Sequence, residues 1–255
     1  MSFVPLEGAK NTRDFGGIVN KNGRCIKGHQ FVRSCALDRL TKKDMRILTE
    51  EYRLNTIIDL RDDDEVKEKP DRKVRGSTYL RMPVFTAATF GVTMEKKSIE
   101  FLENLPDFSQ VYRNMVTQEG CVEHLKSIFE VILRKEPEDG AMLWHCSEGK
   151  DRCGLVSALF LALMDVDRET ILKDYVATND VPSKNKKRYY WLVRVVTNSK
   201  EKADSILYMF EANERFLGAA LDAIDETYGS MDAFLENQLG ISKEQKATFQ
   251  EKYLK

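Results

Sequence analysis

Apolar positions along the chain switch between extended and helical spacing. Leu54-Asn55-Thr56-Ile57-Ile58-Asp59-Leu60 and Ala141-Met142-Leu143-Trp144 are short apolar runs, the second bounded by Glu138-Asp139-Gly140, and both predict buried strands. Ser77 to Pro83 predicts another strand. Asn22-Gly23, flanked by Ile18-Val19 and Cys25-Ile26, predicts a hairpin within residues 16–34. Thr41 is placed to cap a helix carrying Met45, Leu48 and Tyr52, and the run Arg61 to Glu68 reads as a charged loop. A weaker helical pattern covers about 98–118. Val122, Leu125, Phe129 and Ile132 mark an amphipathic helix, and Leu155 to Met164 is a charge-free run of helix formers.

Beyond Met164 the pattern is almost wholly helical. Asp167 caps a segment with Ile171, Leu172 and Tyr175, and one long helix is expected from about Ala203 to Tyr228. Ser230 and Gly240 bracket a short helix, and Ser242 with Gln245 forms a capping box for the last one. Strands alternating with helices in the first two-thirds predict an α/β sheet with crossover helices, the helical tail packing around it. With no repeat, low-complexity tract or Gly/Ser linker, residues 1–255 are expected to form a single domain.

Composition narrows the function classes. The 255 residues are 42% hydrophobic, enough for a substantial core, and the formal net charge of −1 gives no global pull toward nucleic acid or membranes. Five cysteines, an odd number without framework spacing, suit a reducing compartment. The start, Met1 to Glu7, lacks the basic and apolar regions of a Sec-type signal, and Leu155 to Met164 is too short to span a bilayer. No transmembrane segment and a cytoplasmic location are expected, with export by a route without that signal left open.

The candidate chemistry lies at His145-Cys146-Ser147-Glu148-Gly149-Lys150-Asp151-Arg152-Cys153-Gly154, between the apolar strand and the apolar helix. A bare cysteine and arginine separated by five residues would arise by chance in about one in four chains with this cysteine count. The preceding His145, the internal Gly149 and the strand-to-helix setting make it specific. Such a loop gathers backbone N–H groups and a helix N-terminus at one spot. Those donors and Arg152 would stabilise a Cys146 thiolate and bind a phosphate dianion, with residues Ser147, Glu148, Gly149, Lys150, Asp151 and Arg152 forming the cradle. Cys146 would attack phosphorus, and water would later release phosphate. The leaving oxygen needs a proton; Asp151, in the loop, and Asp59, at the end of a neighbouring strand, are the candidates, and each could instead orient Arg152 or Arg61.

His145 is read as orienting the loop by hydrogen bonding. No metal or cofactor is called for: His145, Cys146 and Cys153 are too close in sequence to converge on one ion, and Arg61 with Asp62-Asp63-Asp64 reads as the charged loop rather than a cation site. Arg13 and Asp14 either support the catalytic loop or pair with each other. Ser183-Lys184-Asn185-Lys186-Lys187-Arg188 reads as a solvated helix start, with attraction of anionic lipid or phosphoprotein as the alternative; His29 and His124 read as surface residues, Trp144 and Trp191 as core.

The loop resembles the HCxxGKDR signature of the bacterial atypical tyrosine phosphatases, some of which also act on phosphoinositides. Asn11-Thr12-Arg13-Asp14-Phe15-Gly16-Gly17 is similar to that family's NxRDxGG, and Arg33-Ser34-Cys35-Ala36-Leu37 to its RSgxL. Asp59-Leu60-Arg61 with Glu65 is similar to DLRxxxE, Asp174-Tyr175 with Asn179 to DYxxxN, and Tyr228-Gly229-Ser230 and Leu239-Gly240-Ile241 also fit. The resemblance implies a protein tyrosine phosphatase-like fold: a mostly parallel sheet of four to five strands flanked by helices, a helical lid inserted at about 86–120, and a helical C-terminal region over 200–255. It implies a phosphotyrosine protein or other phosphomonoester as partner, with dual specificity or phosphoinositide activity as extensions to which Lys150 is suited. The family usually has threonine where this chain has Cys153, whose hydroxyl is expected to donate to the leaving thiolate. A thiol is a weaker donor, so slower phosphoenzyme turnover is expected; a Cys146–Cys153 disulfide is the alternative role for this thiol. Two other classes stay open: a phosphate-binding adaptor with little catalysis, and a sulfurtransferase using a Cys146 persulfide.

Overall fold

Strict alternation along three strands divides the core between the two faces of one sheet. Phe31, Met142, Trp144 and Ile58 join an apolar cluster on one face, while Val32, Leu143 and Ile57 join a second cluster on the other. The computed structural model of the chain describes residues 2–84, 107–181, 186–200, 202–204, 207 and 211–255. Its strands are β1 (Ser2–Phe3), β2 (Arg13–Asp14), β3 (Phe31–Ser34), β4 (Thr56–Asp59), β5 (Thr78–Arg81) and β6 (Met142–His145). They form a six-stranded sheet in the order β1-β2-β3-β6-β4-β5. The four strands β3, β6, β4 and β5 run parallel, as expected, and the two-residue β1 and β2 extend the β3 edge antiparallel.

Register sets the position of the site. Ser34 pairs with His145, His145 with Asp59, and Asp59 with Arg81, so four parallel strands end level. Segments leaving those carboxyl ends share one mouth, where sites in open α/β sheets form.

The helices are α1 (Lys42–Arg46, extended by a π turn Ile47–Glu51), α2 (Asp63–Glu68), α3 (Phe108–Thr117), α4 (Glu119–Leu133), α5 (Asp151–Leu163), α6 (Arg168–Val176), α7 (Lys186–Thr197), α8 (Glu214–Tyr228) and α9 (Lys243–Tyr253). Local chemistry accounts for most of their ends. Thr41 with Asp44 and Ser242 with Gln245 make capping boxes, and the Asp167 carboxylate accepts from Thr170 N–H. Every residue of α5 from Cys153 to Leu163 is buried, as its charge-free sequence predicts. Phe160 of this helix sits among Phe15, Phe31, Trp144 and Phe249, with ring centroids 4.7–6.4 Å apart.

Three expectations are corrected. Residues 63–68 are helical, because Asp62 accepts from Asp64 and Glu65 N–H and Glu65 reaches back to Asp62 N–H. The one long helix expected from about Ala203 is interrupted: residues 202–204 and 207 are helical, 211–213 are not, and a helix begins again at Glu214, capped by Asn213. The interruption coincides with a long-range clasp, in which Asn179 donates to Ala212 C=O (2.9 Å) and accepts from Ala212 N–H (2.8 Å). The hairpin expected at Asn22-Gly23 is present and short: Val19 pairs with Cys25, Asn20 N–H donates to Arg24 C=O (2.8 Å) and Ile26 N–H to Ile18 C=O (2.9 Å), around a left-handed Gly23. Trp191 is not core; it is 64% exposed. Of the expected lid, 85–106 lies outside the described residues. Phe108–Thr117 is a packed helix with Tyr112, Met115 and Val116 buried, and Phe108 and Tyr112 lie against Phe216 of α8.

Truncating the aromatic hub tests this packing: Phe160→Ala should cost about 3–5 kcal/mol, the usual range for losing a buried ring. Urea unfolding measures it, and a loss under about 1 kcal/mol would mean the ring is not at the centre of the core.

Candidate active site

The segment Cys146–Lys150 joins β6 to α5, and its carbonyls are held outward one after another. Ser147 C=O accepts from Ala36 N–H (3.2 Å), Glu148 C=O from the Asn11 amide (2.9 Å), and Gly149 C=O from Asn11 (3.2 Å) and the Arg33 guanidinium (2.9 Å). A trans peptide directs its N–H opposite to its C=O. Pinning these carbonyls away from the mouth therefore turns the N–H groups of Glu148, Gly149 and Lys150 toward it. Gly149 permits the turn, with φ +68°, and a Cβ there would sit 2.7 Å from Ser34 O and Cys35 N. No side chain caps the first turn of α5 at Lys150, which leaves the positive end of the helix dipole for an anion.

The groups that hold the loop are themselves buried and charged. Asp174 pairs with Arg33, and its other oxygen lies 3.6 Å from Arg13 Nε. Arg13 also donates to Asn11 Oδ1 (2.6 Å), Asp174 C=O (3.0 Å) and Thr178 Oγ1 (3.2 Å). Arg13 thus orients Asn11, and Asn11 orients the loop. Burial, then the neighbouring Arg33 charge, lowers the Arg13 pKa to about 10, still charged at neutral pH. Asp14 behaves differently from the expected supporting residue. Its carboxylate accepts from Gly16 N–H (2.7 Å) and His29 N–H (2.9 Å), holding the Phe15–His29 excursion rather than the loop or Arg13.

Glu65 braces the opposite side. Its carboxylate takes a two-pronged ion pair from Arg152 (2.6 Å on the Nη2 arm), a hydrogen bond from Ser147 Oγ (2.5 Å) and one from Asp62 N–H (3.0 Å). Burial alone would raise its pKa, but hydrogen bonding and charge from Arg152 outweigh it, and the carboxyl stays below its ordinary range. The Arg152 guanidinium is pushed up against burial by the Glu65 hydrogen bonds and then by the charge of a Cys146 thiolate. Cys146 itself is buried at the start of the loop.

Asp59 ends β4 fully buried. It accepts from Arg61 N–H (3.0 Å), Nε (2.9 Å) and Nη2 (2.8 Å), and from Tyr79 Oη. Asp71 shares Arg61 (2.7 Å) and lies 3.0 Å from His145 Nε2, close but outside hydrogen-bond geometry. Asp59, Asp71 and His145 bring three potential ligand atoms together, and the Arg61 guanidinium already supplies positive charge to both carboxylates. Burial opposes ionisation of Asp59; the Arg61 hydrogen bonds and the His145 charge overcome it and hold the pKa down. Of the two arginines it was expected to face, Asp59 pairs with Arg61. His145 faces Asp71 and Asp59 beneath the loop instead of hydrogen bonding to the loop itself.

Asp151, at the first turn of α5, is partly exposed. Its Oδ1 accepts from Tyr112 Oη (2.6 Å) and lies 3.5 Å from Lys150 Nζ; Tyr112 Oη in turn meets Tyr175 Oη at 2.7 Å. Burial, then the Asp151 charge, pushes the Tyr112 phenol well above its usual range, so it stays a donor. Cys153 is buried with Sγ 3.7 Å from Trp144 C=O, and burial raises its pKa to about 11. Its proton is directed into β6, not at Cys146, and both cysteines are free thiols. Glu148 is exposed, reaching the loop only through its backbone.

A profile described as the tyrosine phosphatase family matches residues 4–255. The chain belongs to the tyrosine phosphatase family. Among its relatives, the triple specificity protein phosphatase PtpB of Mycobacterium tuberculosis is 32% identical over 143 residues, 52% of this chain and 49% of that protein. That match spans about half the length of the relative. A tyrosine-protein phosphatase of Nostoc commune is 25% identical over 244 residues, 86% of this chain and 72% of that protein. The crystal structure of P. aeruginosa TpbA aligns over 77% of this chain and 90% of that chain, at 14% identity and a TM-score of 0.34. Among the described residues, no helix is long and apolar enough to cross a membrane.

The Cys146–Lys150 loop is legible in the sequence, which assigns no role to Asn11, Arg33, Glu65, Asp71, Tyr79, Tyr112 or Asp174. Asn11, Arg33, Glu65 and Asp174 sit inside the resembling blocks, the signal that could have found them. Asp71, Tyr79 and Tyr112 carry no local signal.

Two outcomes test the braces. Glu65→Gln should lower kcat about 10- to 100-fold, the usual penalty for slight misplacement of a catalytic group. Glu65, Asp59 and Asp71 are all depressed on folding. The stability each adds is full above the unfolded value, about pH 4, and is lost as pH falls through the lower folded value. In urea unfolding from about pH 6 to 3, the wild type should therefore lose stability more steeply than Glu65→Gln; equal slopes would show Glu65 contributes nothing.

Proposed function

We propose that the chain hydrolyses phosphomonoesters through a thiophosphoryl intermediate on Cys146, with phosphotyrosine proteins as the principal substrates. The observation that carries this reading is the loop with its carbonyls pinned outward around a buried cysteine, facing an arginine oriented by a carboxylate. The N–H groups of Glu148, Gly149 and Lys150 and the Arg152 fork match the oxygens of a phosphate dianion. The Cys146 thiolate attacks phosphorus, the S–P bond forms, and the bond to the leaving oxygen breaks.

Asp151 donates the proton to that oxygen. It is partly exposed at the mouth, whereas Asp59 is sealed off and kept ionised by Arg61, unable to donate. In the second half, Asp151 accepts a proton from water as water attacks phosphorus; phosphate leaves and the thiolate is restored. Tyr112 and Tyr175 set the orientation of Asp151. Lys150 adds a cation beside the cradle, which supports activity on multiply phosphorylated headgroups. The mycobacterial relative, a triple specificity protein phosphatase, supports breadth of the same kind.

Hydrolysis of para-nitrophenyl phosphate without added metal, in wild type and Cys146→Ser, is the decisive assay. Wild-type turnover abolished by the substitution is expected. Equal rates would end the cysteine mechanism, and no turnover with tight phosphate binding would make the protein an adaptor. Asp151→Asn should slow phenyl phosphate, whose leaving group needs a proton, by about 100-fold or more, and para-nitrophenyl phosphate less. Uniform slowing would remove Asp151 as the acid.

A further inference from the structure

Helix α7 does not follow the rule that apolar side chains turn inward. Trp191 is 64% exposed, Leu192 44%, Val195 75% and Val196 42%. Spaced at i, i+1, i+4 and i+5, they form one stripe, while Val193 of the same helix is fully buried. They make up most of the large apolar side chains exposed among the described residues, so the stripe is a patch rather than scatter.

The charge around the stripe is equally one-sided. Between positions 184 and 200 the sequence has Lys184, Lys186, Lys187, Arg188, Arg194 and Lys200 and no Asp or Glu, in a chain whose total is 40 basic and 41 acidic residues. Lys187 and Lys200 are exposed, and Arg194 is half-buried. In sequence, α7 lies between the two residues of the Asn179–Ala212 clasp. That clasp is one residue from Thr178, which holds Arg13 behind the catalytic loop.

We propose that α7 is a membrane-surface helix that lies on an anionic lipid bilayer, its Trp191–Val196 stripe in the interface and its cations on the lipid headgroups. A helix of 12 residues, about 18 Å long, is too short to span and suited to lie flat. Charge complementarity selects this occupant. A second copy would bring two cationic segments together, which repel, whereas an anionic bilayer satisfies both the apolar stripe and the cations. The proposal goes beyond the chemistry at Cys146 and does not depend on it.

The sequence has two tryptophans, and Trp144 is fully buried, so a change in emission on adding lipid reports Trp191. With the full chain, vesicles of phosphatidylcholine containing about a third phosphatidylserine should blue-shift that emission and co-sediment the protein; phosphatidylcholine alone should do so weakly, and high salt should reverse it. Trp191→Ala with Val195→Ser should weaken partitioning at least about tenfold, and Trp191→Glu should abolish it. Both variants should turn over para-nitrophenyl phosphate at the wild-type rate, which separates this result from any failure of the phosphatase reading. No binding to anionic vesicles, or undiminished binding by Trp191→Glu, overturns the proposal. So does a dimer dispersed by Trp191→Glu in a protein that ignores vesicles, because the stripe would then be a self-interface.

Discussion

The site depends on one buried carboxylate that neutralises two buried arginines. Asp174 pairs with Arg33 and stands beside Arg13, and through these two side chains and Asn11 it governs the direction of the carbonyls at Glu148 and Gly149. A burial penalty of several kcal/mol per isolated ion is offset only when geometry and hydrogen bonding are good. Here the gain is conformational: the loop cannot turn over without leaving guanidinium donors unpaired. The loop is thus held from behind, by charges buried beneath it.

A second set of ions performs the complementary task on the opposite side of the loop. Glu65 aligns Arg152 and Ser147, while Arg61 ties Asp59, Asp71 and Tyr79 beneath His145. Each arginine around the mouth has an assigned acid, and that pairing separates the carboxylates by role. Asp59, Asp71 and Glu65 are held ionised, whereas Asp151 meets a phenol and a lysine at the edge of solvent. Environment rather than residue type distinguishes the aspartate suited to exchange a proton.

Legibility followed distance along the chain. Thr41, Asp167 and Ser242 were readable as caps because each acts on residues two to three positions away. The buried strands before Asp59 and His145 were readable because the sheet is covered on both faces. The start of α8 was not, since the Asn179 clasp on Ala212 is 33 residues apart in sequence. Nor was the outward face of α7, because Trp191, Leu192, Val195 and Val196 have the spacing of a core face whichever side they take. The helix at Asp63–Glu68 was misread for a local reason: its abundance of charge hid the cap at Asp62.

The sequence by itself determined the α/β class, the cysteine loop between a strand and a helix, and the resemblance to a phosphatase family. These are matters of periodicity and of residues adjacent in the chain. Only the tertiary structure decided which aspartate is sealed in an ion pair, which residues turn the loop's carbonyls outward, and that the Cys153 proton goes to Trp144. Each of those depends on groups brought together by strand register and helix packing from distant positions. Burial then sets their charge states, and no linear spacing records that.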